Sequence, residues 1–122
     1  QAMNTGHAGS LSTVHANTAR DAVRRLEIMV LMGSMDLPVF AIRQQIASAV
    51  DLIVQTSRLS SGQRVVTSID EVTGIDGETL QIGTLFTRHR DEGRLVSQGM
   101  PARFAASQAP EVQEQLAQTL MG

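Results

Sequence analysis

The apolar residues of this chain change period at Asp51, and that change decides what the chain can fold into. Upstream, Ala19, Ala22, Val23, Leu26, Met29 and Val30 recur at three- and four-residue spacing, which is one stripe along a helix. Asn17 or Thr18 can cap that helix, and Asp21, three residues past Thr18, completes a capping-box-like pattern at the positive end of the dipole. Asp21 also precedes Arg24 and Arg25 in a favourable ion-pair order. Gly33 supplies a stop. Pro38, at a first-turn position, opens a second helix with Ile42, Ile46 and Ala49 on one face.

Downstream the period falls to two. Leu52-Ile53-Val54 reads as a strand buried on both sides. Ser60-Ser61-Gly62 is a turn, Arg64 to Val72 is β-rich, and Gly74-Ile75-Asp76-Gly77 is a second turn. Leu80, Ile82, Thr84 and Phe86 then alternate, and Asp91-Glu92-Gly93 turns into Arg94 to Gln98. Turns at such short spacing predict antiparallel hairpins. Pro101 to Ser107 and Pro110 to Met121 read as helical segments. Ahead of everything, the run from Gly9 to Ala16 reads as a short strand entered from a Gly-rich turn, unusually polar through Ser10, Ser12, Thr13 and His15. The predicted order is strand, two helices, antiparallel β-hairpins and a helical tail.

Composition narrows the chemistry. With 122 residues the chain makes one domain at most. Aromatics are 2% of the residues, so the core has to be aliphatic. There is no Cys, which excludes disulfides, thiolate metal sites and a Cys nucleophile. The net charge of −2 argues against a dedicated nucleic-acid binder. No apolar run reaches the roughly 18 residues that span a bilayer, and a cytoplasmic location is expected. All basic residues are Arg. A phosphate-binding loop ending in Gly-Lys-Ser/Thr, a Schiff-base Lys and a Ser–Lys dyad are thereby impossible within this sequence. The opening Gln1-Ala2-Met3-Asn4 reads as a cut through an element, as expected of a piece of a larger protein.

Three His are the remaining candidates. On a strand over residues 9–16, His7 and His15 lie up to about 25 Å apart, too far to share a metal. No Gly-x-Ser-x-Gly elbow supports a Ser–His–Asp triad. His15 closes the polar strand just before a helix, where open α/β sheets bind ligands. It is either a phosphate-sensing imidazole or a core His bonded to backbone. His7 reads as a loop residue and His89 as a solvated hairpin residue. Arg20, Arg24 and Arg25 either clamp a phosphate or form a solvated face with local ion pairs. Met29, Met32 and Met35 read as core or interface packing.

The stretch QAMNTGHAGSLSTVHAN, residues 1–17, resembles the histidine box of the type II/type IV secretion ATPase superfamily, and looks closest to the CpaF-type, tight-adherence pilus branch. The resemblance runs on through ARDAVRRLEIMVLM and LPVFAIRQQIASAVDLIVQTSRLSSGQRVVTSIDEVTG and fades after Phe86. It implies an α/β fold, the C-terminal part of a RecA-like (P-loop NTPase) motor domain. Residues 1–87 would be the C-terminal half of that ATPase domain, with the histidine box at 5–17. Residues 88–122 would be a β-hairpin return and a helical tail. The family's phosphate-binding loop and Walker B segment precede the histidine box, which accounts for the missing Lys.

By the same resemblance, His15 and His7 are the catalytic candidates, His15 coupling to the γ-phosphate side of the nucleotide, and Thr13, Asn17 and Arg64 are nucleotide-binding candidates. Arg64 and Glu71 match the family's R…E strand, with a cross-strand or solvated ion pair as the alternative. The implied cofactors are ATP and Mg²⁺ in the full-length protein, with none bound by this piece alone. The implied partners are a homohexamer and inner-membrane platform proteins, at the cytoplasmic face of the inner membrane. The rival reading is a non-catalytic oligomerisation or docking module.

Overall fold

The computed structural model describes residues 11–33, 37–77, 79–89, 93–99 and 110–121. The elements follow in the order α1 (Ala19–Gly33), α2 (Val39–Ala49), β1 (Leu52–Arg58), β2 (Arg64–Asp76), β3 (Thr79–Arg88), β4 (Leu95–Ser97) and α3 (Pro110–Met121). The four strands form one sheet in sequential order, each hydrogen-bonded to the next. The chain divides into two compact units, residues 1–51 with 72–82, and residues 52–71 with 83–122.

In the first unit, the Thr18 hydroxyl accepts the Asp21 backbone N–H at 3.1 Å, which is the expected cap of α1. Pro38 holds the N-cap of α2 at φ −65°, ψ 150°, an extended geometry that ends the incoming loop. The two helices pack on each other, and their buried residues are Ala22, Val23, Ile42 and Ile46. These four fall on the two predicted stripes. Met29, on the α1 stripe, is 58% exposed, and Met32, grouped with it as core or interface packing, is 79% exposed, so neither belongs to the core of the described residues. The pairing of Asp21 with Arg24 or Arg25 is not made. The Arg25 guanidinium donates instead to the His15 carbonyl.

In the second unit, β1 pairs antiparallel with β2, Leu52 opposite Glu71 and Arg58 opposite Arg64, with a register shift between Gln55 and Thr56. At the shift, the Thr67 hydroxyl donates to the Gln55 carbonyl at 3.2 Å, absorbing the irregularity that a bulge leaves in a ladder. The Asp70 carboxylate is buried and accepts from the Ser68 hydroxyl at 2.8 Å and from the Thr84 hydroxyl at 2.8 Å. This joins β2 to β3 through side chains as well as backbone. Leu85 and Leu120 form a small core backed by Phe86 and Leu116, which seats α3. The Ser97 hydroxyl donates to the Leu120 carbonyl. β4 pairs with β3, Phe86 opposite Ser97.

Several expectations are corrected. Residues 11–16, the described part of the predicted opening strand, are irregular. A strand persists only where a neighbour completes its ladder, and none of the four strands pairs with this segment. β1 is not buried on both sides, because it is the end strand of an antiparallel sheet and Leu52 and Val54 are exposed on it. The turn expected at 74–77 begins later. β2 continues to Asp76, with Gly74 at φ 150°, a conformation that residues with a Cβ rarely adopt, and the chain reverses at Gly77 with φ 62°. On β3 the single alternating face is not kept. Leu80 and Leu85 are buried while Thr84 is exposed. The predicted helix over Pro101 to Ser107 lies outside the described residues, whereas Pro110–Met121 is helical as expected.

Candidate functional site

The candidate residues of the histidine-bearing segment lie on the irregular lead into α1. Thr13, His15 and Asn17 are all exposed. His15 is therefore not packed into a core by the residues of this chain. Its imidazole stands open just before the positive end of α1, while its backbone carbonyl is tied by the Arg25 guanidinium. That tether fixes the lead-in one to two turns along the helix that it precedes. His7 lies outside the described residues.

Arg64 opens β2 in the second unit, exposed and paired in register with Arg58. It is not joined to Glu71. The two stand seven residues apart on one strand, roughly 23 Å at the usual rise, and Glu71 is buried while Arg64 is exposed. His89 is exposed, and its backbone closes the β3–β4 hairpin by donating to the Arg94 carbonyl and accepting from Gly93, both at 2.8 Å.

Sequence reasoning missed a second feature of the first unit. Arg20, Val23, Arg24 and Glu27 recur at the spacing of one α1 face, and with Arg43 of α2 and Thr79 and Leu80 of β3 they line a cleft. Glu27 Oε1 accepts from Arg43 Nε at 3.1 Å. Arg20 donates to the Leu80 carbonyl at 3.4 Å. The spacing of Arg20, Arg24 and Glu27 was legible; the arrival of Arg43 from the next helix was not.

The sequence has no Lys, and among the described residues no group of three His, Asp or Glu side chains is placed to hold a metal ion. Among the described residues, too, no helix is long and apolar enough to cross a membrane.

The chain belongs to the Type II/IV secretion system protein family, T2SSE, whose sequence profile matches residues 1–98. It is similar to the "Conjugal transfer protein TrbB" of Rhizobium radiobacter, 43% identical over 77 residues, which is 63% of this chain and 21% of that protein. It is also similar to the "Type IV secretion system protein VirB11" of Bartonella quintana (strain Toulouse), 41% identical over 69 residues, 55% of this chain and 19% of the relative. The VirB11 of Bartonella henselae is 39% identical over a stretch of the same length. The chain thus spans about a fifth of the length of these curated relatives. The mixed α/β architecture with an antiparallel sheet is consistent with a fragment of the RecA-like ATPase domain that the resemblance implied.

Proposed function

We propose that this chain is part of an ATP-hydrolysing motor of a secretion system, in which it supplies the histidine box and the segments that follow it. The observation that carries the reading is the family match over residues 1–98, which takes in the whole histidine-bearing segment. In this reading residues 1–87 close the ATPase domain and residues 88–122 form a hairpin return and helical tail. ATP and Mg²⁺ are held by other parts of the longer protein in this reading, which the absence of any Lys for a phosphate-binding loop supports. The full-length protein assembles as a homohexamer and docks on inner-membrane platform proteins from the cytoplasmic side. The relatives' names favour conjugal transfer or type IV secretion as the process driven. The tight-adherence pilus branch is the narrower alternative, resting on the motif alone.

His15 acts on the nucleotide side of the motor in this proposal, and its exposure leaves the imidazole accessible for that contact. Thr13 and Asn17 flank it on the same exposed segment, and His7 is carried with it through the motif. The test is steady-state ATP turnover. The full-length protein should hydrolyse ATP, and the 122-residue chain alone should not. Absence of turnover in the full-length hexamer, or sustained turnover by the 122 residues, would contradict the assignment.

A further inference from the structure

The cleft between α1, α2 and β3 brings three guanidinium groups to one place against one carboxylate. Arg20, Arg24 and Glu27 lie on one face of α1, and Arg43 reaches the same cleft from α2. Glu27 engages Arg43 through Nε at 3.1 Å, and the two terminal nitrogens of Arg43 make no hydrogen bond with another described residue. Arg20 reaches the Leu80 carbonyl at only 3.4 Å, a long contact for a charged donor. Arg24 makes no hydrogen bond or ion pair with another described residue. Counting the four charged side chains, the cleft carries a formal excess of two positive charges.

Three physical costs attend that arrangement, and one kind of occupant would remove all of them. Like charges at Arg20 and Arg24, four residues apart on a helix, repel. Arg20 also sits in the first turn of α1, where the dipole disfavours a cation. No lining residue other than Glu27 carries negative charge. The cleft is small, about 170 Å³, below the roughly 300 Å³ at which pockets for drug-sized ligands begin. A space of that size accommodates a single oxyanion. Guanidinium groups present paired N–H donors that match phosphate oxygens two at a time.

We infer that this cleft is a binding site for one phosphate-sized oxyanion, held by Arg24 and Arg43 with Arg20 at its rim and tuned by Glu27. The experiment is a titration of the full chain with inorganic phosphate at constant ionic strength, read by NMR on the arginine Nε–Hε resonances, with chloride as the control anion. Phosphate should give a saturable shift. Arg24→Gln should weaken it about tenfold, the effect of losing one charge-assisted contact worth about 1.4 kcal/mol. Glu27→Gln should tighten it several-fold, because the amide oxygen keeps an acceptor for Arg43 Nε while the competing charge is gone. A gain of affinity cannot come from misfolding. Arg58→Gln, in the β1–β2 hairpin, should leave it unchanged. An equal, unsaturated response to chloride, or phosphate binding unaffected by Arg24→Gln, would overturn the site.

Discussion

Ile42 has no exposed surface, whereas Phe40, two residues earlier on α2, is 50% exposed. The difference makes a graded test of which face of α2 is covered. Ile42→Ala removes three carbons, at about 0.8 kcal/mol each for transfer from water, or roughly 2.4 kcal/mol. The cavity left in a close-packed helix pair adds about 1 kcal/mol or more. The better helix propensity of Ala returns a few tenths of a kcal/mol. The net expectation is a loss of about 3 kcal/mol, a large share of the 5–15 kcal/mol or so that domains of this kind possess. Ile42→Val, losing one methylene, should cost about 1 kcal/mol. Phe40→Ala should cost less than Ile42→Ala despite removing the larger side chain, since half of that side chain already meets water. The assay is urea unfolding followed by far-UV circular dichroism. At a slope of about 2 kcal/mol per molar, Ile42→Ala should lower the midpoint by about 1.5 M without changing the slope. A larger shift for Phe40→Ala than for Ile42→Ala would refute the assignment of the buried face.

Two further outcomes rest on polar contacts. Thr18→Ala removes the acceptor of the Asp21 N–H and should destabilise by about 1 kcal/mol, with Thr18→Asp largely preserving stability; unfolding midpoints of the two variants check this. Asp70 and Thr84 should be coupled through their 2.8 Å hydrogen bond. A double-mutant cycle of Asp70→Ala and Thr84→Val should return an interaction of about 1 kcal/mol, and strict additivity would show that the bond does not form in solution.

What the sequence disclosed was what local chemistry decides. Thr18 caps α1 as expected, Pro38 starts α2 as its N-cap, one residue ahead of the first-turn position expected, and α1 runs to Gly33. The hairpins after Asp51 followed from period and turn residues. The failures share one cause, which is that they depend on neighbours the local pattern does not name. An apolar triplet such as Leu52-Ile53-Val54 looks the same in a central strand and in an end strand. The polar run ending at His15 has strand character but no ladder among the described strands. Gly74 is as useful inside a strand at φ 150° as in a turn. At the candidate site, the histidine segment was legible as a motif. Its attachment to Arg25, ten residues away, and the convergence of Arg43 on the α1 face, required the helix packing.

The role assigned to His15 is open to a single kinetic comparison. In the full-length protein, His15→Ala should depress the maximal rate of ATP hydrolysis by at least tenfold, about 1.4 kcal/mol in the barrier, while nucleotide affinity stays within about twofold of the parent. A rate equal to the parent's, at matched hexamer content, would mean that this exposed imidazole has no part in the reaction.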